Sequence, residues 1–229
     1  MIGRHPSKFK GSNRPVEQVS WFDCLVFCNA LSKQEGFSPV YAGLESYVVG
    51  SNMSVDAALL LSDNITLVEG ANGYRLLTEA EWEYSARGGG YHKYAGSNDV
   101  DEVAWYHNNS DTGHGRQTHP VGQKKPNGFG IYDMSGNVIE WCWDLIDCEV
   151  RDKSDGDISL LRDTEYPAAT RVNPQGPPEG FYRVARGGCL FYNSARVRVS
   201  FRCIEIEDDS NDPHSIACGA GFRIARSIL

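Results

Sequence analysis

The sequence predicts an α+β domain with two main helices, a few short strands and a large share of irregular loop. Three observations carry this expectation. Two segments open with the residues of a reciprocal helix cap, at positions 20–23 and 78–81. Apolar and polar residues alternate in short runs toward the C-terminus. Gly (24) and Pro (10) are spread along the chain and supply turns rather than long helices.

The first helix is expected over residues 21–35. Ser20 caps it, Asp23 closes the first turn, and Phe22, Leu25, Val26, Cys28 and Leu31 form a rough stripe, with Gly36 as the stop. Residues 41–72 read as short apolar runs broken by Gly, Ser and Asn, with a strand at 65–68. Thr78 and Glu81 announce the second helix, which ends near Arg87 before three glycines; Trp82 and Ala86 share a face. Residues 91–135 read mostly as turns, and residues 147–180, polar and rich in Asp, Pro and Gly, as a long surface loop. Strands are expected at 181–186, 195–202 and 221–225. No internal repeat or low-complexity linker divides the 229 residues, so one domain over 1–229 is the simplest account.

Hydrophobic residues make up 41% and charged residues 23%, enough for a substantial core. A net charge of −8 opposes non-specific nucleic-acid binding, so no nucleic acid is expected as a partner. No apolar run is long enough for a transmembrane segment, and residues 1–7 lack the apolar core of a signal peptide; any export or lipid-anchor signal is expected upstream. The seven cysteines contain no C-x-x-C pair. Cys24 and Cys28, one helical turn apart, read as small buried apolar residues. His107, His114 and His119 lack a zinc-site spacing and read as surface or loop-supporting residues.

Four blocks of the chain resemble one family. HPSKFKG…RPVEQVSWFDCLVFCNALS (from His5), GYRLLTEAEWEYSARGG (from Gly73), HPVGQKKPNGFGIYDMSGNVIEW (from His119) and RVARGG…GFRIAR (from Arg183) are similar to the formylglycine-generating-enzyme (sulfatase-modifying factor) domain, in the family's order. The resemblance implies a C-type-lectin-like fold: two main helices, a small twisted antiparallel sheet and much irregular loop. The family domain usually opens with strands upstream of the first block. Its catalytic members carry two cysteines, C-x-x-x-x-C, shortly after the Gly-Gly. Here those positions fall on Tyr192 and Val197, neither of which supplies a thiolate, so the resemblance implies a chain that is not an enzyme.

The segment after the Gly-Gly is similar to the variable region of diversity-generating-retroelement proteins, which use this scaffold for display. RVSFR from Arg198 and GFR from Gly221 match that region's fixed elements. Residues 186–223 are therefore expected to carry a ligand-binding face built from Leu190, Phe191, Tyr192, Arg196, Val197, Phe201, Cys203, Ile204, Glu205, Ile206, Asp208, Asp209 and His214. Aromatic and Arg side chains gain contact area for few frozen torsions, which suits docking. An apolar patch rimmed by acids would suit a protein or other macromolecular ligand carrying some positive charge. Arg198 and Arg202 are expected to support the scaffold. By the family analogy the protein is expected at the cell surface or outside the cell.

The loop DMSGNVIE resembles the family's second calcium loop, with the Asp133 and Glu140 carboxylates and the Gly136 and Val138 carbonyls as ligands. Such calcium would be structural, and no cofactor is required. The competing reading is a turn held by Asn137 and an ion pair at Glu140. Two rival functions remain: an oxidoreductase of the family with an altered active site, and an accessory structural domain without a ligand. Exposure separates the last from the display reading, because burial of Leu190, Phe191, Phe201 and Ile204 favours the accessory domain.

Overall fold

The computed structural model describes residues 5–51, 53, 55–146, 173–177, 180, 182–203 and 219–227. Helix α1 spans Trp21–Gln34 and α3 spans Glu79–Arg87, and both expected capping boxes form. Ser20 accepts from the Asp23 N–H while Asp23 accepts from the Ser20 N–H; Thr78 and Glu81 repeat the exchange. In α1, Phe22, Leu25 and Cys28 are buried as expected, together with Cys24, whereas Val26 and Leu31 lie half-buried at the edge of the stripe. Ser32 takes a fully buried position because its hydroxyl donates to the Cys28 carbonyl and accepts from the Tyr74 N–H.

Two helices appear that the pattern did not announce: α2 (Val55–Asn64) and the short α4 (Val100–Val103). The strands are β1 (Tyr41–Ala42), β2 (Thr66–Leu67), β3 (Tyr74–Leu76), β4 (Ile139–Ile146), β5 (Tyr182–Arg186), β6 (Arg202–Cys203), β7 (Ala220–Phe222) and β8 (Ile224–Arg226). They form two antiparallel pairs, β1-β2 and β3-β8, and a four-stranded sheet ordered β6-β5-β4-β7. Within that sheet β4 and β7 run parallel; all other pairs are antiparallel. The architecture is the expected α+β, C-type-lectin-like one, with short strands and long irregular connections.

Two expected strands are corrected. Residues 195–202 do not run as a strand. Asn193 caps a 3-10 turn at Ser194–Val197, the Arg198 side chain folds back onto the Ala195 carbonyl, and pairing begins only at Arg202. The strand at 221–225 is split at Arg223, whose guanidinium turns to Glu140, so β7 and β8 join different sheets. The loop expected at 147–180 lies largely outside the described residues.

Strand β4 separates two apolar clusters. Ile139 and Trp141 pack with α1 through Trp21, Phe22 and Leu25. Cys142 and Ile146 pack with α3 through Trp82 and Ala86. The two β4 indoles on the α1 side are tied in: Trp141 donates to the Val19 carbonyl, and Trp143 stacks on Tyr41. Arg183 lies over the Trp21 ring at 3.7 Å and donates to the Trp143 carbonyl and the Ser62 hydroxyl.

Candidate ligand-binding site

The expected face is built on the chain that leaves β5. The N–H of Leu190 donates to the Asn137 carbonyl (3.1 Å), and the N–H of His107 donates to the Tyr192 carbonyl (3.0 Å). Residues 189–192 are thus stitched between the 137 turn and the 105–107 loop. The Val199 N–H donates to the Lys93 carbonyl and pins the following stretch to a third loop.

Side-chain burial divides the expected residues. Leu190 and Val197 are 0% exposed, and Tyr192 and Cys203 are 6%. These four belong to the core. The reason is local: the 3-10 turn aims Val197 inward, and Tyr192 lies against the Cys203 sulfur at 3.7 Å. Phe191, Arg196 and Phe201 are half-buried. Phe201 meets Tyr192 edge-on at 6.2 Å, and the Arg196 guanidinium lies 5.3 Å from the same ring. Arg196 and Phe201 therefore share one neighbourhood around Tyr192, while the Phe191 ring lies toward Gly219. Ile204, Glu205, Ile206, Asp208, Asp209 and His214 lie outside the described residues.

The same neighbourhood has a wall that sequence spacing did not single out. His107 is exposed beside Tyr192, and Arg116 donates to its carbonyl at 2.9 Å. These residues come together only through tertiary contact, so no motif marks them. His119 supports the loop, as expected: it is half-buried and stacks on Trp105 at 3.7 Å.

Beneath the face lies a network of buried charge. Arg186, 1% exposed, pairs with Glu79 and Glu83 and donates to the Val199 carbonyl. Arg202 grips both oxygens of Glu79, at 2.5 and 2.7 Å. The N-terminal turn of α3 thereby holds both β5 and β6, so Arg202 serves the scaffold as expected. Asp144 accepts the Glu79 N–H at 2.6 Å, and burial pushes its carboxyl up to about 7.

Protein groups already engage part of the expected calcium ligand set. Arg223 donates to both oxygens of Glu140 (3.0 and 2.8 Å), and Trp82 adds a third bond at 2.7 Å. A guanidinium thus already neutralises that carboxylate. Asp133 accepts the Gly122 N–H through one oxygen, and burial raises its pKa. Gly136, with φ of +78°, passes so close to Trp105 that a Cβ would lie 2.2 Å from the Trp105 carbonyl oxygen. Asn137 bridges His119 through its side chain, accepting from the N–H and donating to the carbonyl. Val138 is buried. These contacts hold the turn, while Asp133 Oδ1 is buried with no hydrogen-bond partner among the described residues. Among the described residues, no group of three or more His, Cys, Asp or Glu is placed to hold a metal.

Comparison with known proteins gives consistent matches. The family model described as the sulfatase-modifying factor enzyme 1-like domain matches residues 3–228. Chaperone protein LppX of Paenibacillus barcinonensis is 41% identical, covering 81% of this chain and 74% of that protein. The formylglycine-generating enzyme of Thermomonospora curvata is 36% identical over 69% of this chain, which spans 50% of the enzyme. Among solved structures, Treponema denticola variable protein 1 superimposes with a TM-score of 0.73 at 34% identity, covering 98% of this chain and 78% of that one.

Proposed function

Because this chain belongs to the sulfatase-modifying factor enzyme 1-like family, we propose that it is a non-catalytic member whose C-terminal region, residues 186–223, recognises a macromolecular ligand outside the cell or at its surface. The observation that supports this reading is the burial of Tyr192 and Val197, the residues onto which the resemblance carries the family's two cysteine positions. A phenol and an isopropyl group have no thiol chemistry, and their burial leaves the backbone around them as a support. The likeness to a variable protein and to a protein named a chaperone points the same way, toward binding.

In this reading the ligand meets Phe191, Arg196 and Phe201, with Ile204, Glu205, Ile206, Asp208, Asp209 and His214 contributing from the segment that follows. Leu190, Tyr192, Val197 and Cys203 underpin that face. Half-exposed aromatics beside a guanidinium are the groups that concentrate binding energy at interfaces.

The test is the DNA flanking the gene. A near-copy of the stretch coding for residues 186–223, differing mainly at adenines and lying beside a reverse-transcriptase gene, is expected. A locus without it, together with conversion of a peptide cysteine to formylglycine by the purified protein, would overturn the reading.

A further inference from the structure

We propose that the loop of residues 5–16, seated on the loop of residues 104–125, is a second binding surface, for an acidic polysaccharide whose sugars carry sulfate or carboxylate groups. Charge is segregated along this chain. Residues 5–16 hold Lys8, Lys10 and Arg14 and no acid, and residues 104–125 hold Arg116, Lys124 and Lys125 against Asp111 alone. With three cations in the first segment and three against one acid in the second, the two are net +5 in a chain of net −8, so the remainder is net −13. A chain of negative overall charge can therefore present a local positive field here.

The fold brings the two segments together. The Val121 N–H donates to the Asn13 carbonyl at 2.8 Å, and Arg14 donates to the Thr118 hydroxyl at 3.5 Å. The Lys124 ammonium lies 4.1 Å from the centre of the Trp105 ring, against which His119 stacks. Burial lowers the His119 pKa, and the Arg14 and Lys124 charges lower it further, so both cations act on that ring. Elsewhere Arg75, Arg87, Arg186, Arg202 and Arg223 are each matched by a glutamate. Here Lys8, Lys10, Arg14, Arg116 and Lys124 form no ion pair among the described residues. Glu17, which is close enough to feel Lys8 and Lys10, is 0% exposed and accepts the Phe9 N–H. Lys8 and Lys10 themselves are exposed.

The surroundings of these cations select the polyanion. A single-stranded nucleic acid stacks its bases on bare aromatic rings. The half-buried rings here, Phe9 and Trp105, are each attended by a lysine, Lys8 at 5.5 Å and Lys124 at 4.1 Å. A flat anionic bilayer would meet the exposed Asp101, Glu102 and Asp111 together with the cations, whereas a single polymer chain can follow the cations alone. Exposed Ser12, Asn13 and Gln123 lie in sequence among the cations and offer neutral partners to sugar hydroxyls. No residue of 186–223 contributes, so the proposal does not rest on recognition by the C-terminal region.

The experiment is a fluorescence-anisotropy titration of the full chain with labelled dextran sulfate, with uncharged dextran of the same length as the control. Saturable binding of dextran sulfate is expected, weakening as salt rises. It should be at least about tenfold weaker in Lys8→Glu/Lys10→Glu and about threefold weaker in Arg14→Gln. The charge-matched Lys33→Glu/Lys93→Glu, at exposed positions outside both segments, should bind like the parent. Lys8 and Lys10 are exposed, so the first variant should also melt like the parent. Equal binding of uncharged dextran, unchanged binding by both site variants, or an equal loss in Lys33→Glu/Lys93→Glu would overturn the proposal. So would tighter binding of a DNA oligonucleotide or of phosphatidylglycerol vesicles than of dextran sulfate, because the occupant would then be a nucleic acid or a membrane.

Discussion

At the scale of single residues, the most consequential side chains are charges placed where charges are costly. Arg186 is enclosed by Glu79, Glu83, the Val199 carbonyl and the Trp82 ring. Removing one partner from such a set leaves buried charge uncompensated, so Glu79→Ala is expected to lower stability by about 3 kcal/mol in urea unfolding. Asp144 behaves differently. Its carboxyl, raised to about 7, stays neutral in the fold after the unfolded chain has ionised near its ordinary 3.8. Its stabilising contribution is therefore complete below about pH 4 and is lost as pH rises to about 7. Asp144→Asn should raise the melting temperature at pH 8, by as much as ~4 kcal/mol of stability, and leave it unchanged at pH 4. The family resemblance drew attention to Tyr192 and Val197. It did not show that both are buried, because burial there depends on a 3-10 turn that the alternating letters of 195–202 disguise as a strand.

At the scale of elements, caps were the most readable signal. A cap is a bond between residues three apart, and the sequence states both partners. Thr78→Ala is expected to cost about 1 kcal/mol, measured by thermal or urea unfolding. Helix α2 was not legible, since its three consecutive leucines follow a Gly- and Ser-rich run and lack a periodic polar face. Strand β4 was missed for the opposite reason. It is buried along most of its length, yet it carries Glu140 and Asp144, and buried acids break the pattern that reveals a strand. Only the tertiary partners explain them: Arg223 and Trp82 for Glu140, and the Glu79 N–H for Asp144. The candidate calcium loop falls between these cases. Its letters match a metal turn, and Arg223, from far along the chain, pairs with its Glu140.

At the scale of the whole molecule, family resemblance made the architecture legible where periodicity alone did not, because many backbone hydrogen bonds join irregular loops. The turn at 136–137 is one such hub, bonded to Trp105, His119, Gly187 and Leu190. Because Arg223 already neutralises Glu140, addition of EDTA is expected to leave the melting temperature unchanged; a fall of several degrees, reversed by calcium, would support the metal reading.

The order of the four-stranded sheet has one more consequence. β6 and β7 occupy its opposite edges, and residues 204–219 connect them. Three strand spacings separate those edges, roughly 14 Å. Both edges are fixed by pairing with the inner strands, Arg202 and Cys203 on β5 and Ala220 to Phe222 on β4. The two ends of that stretch are thus held by backbone bonds that none of its own side chains makes, and exchanging those side chains leaves the bonds in place.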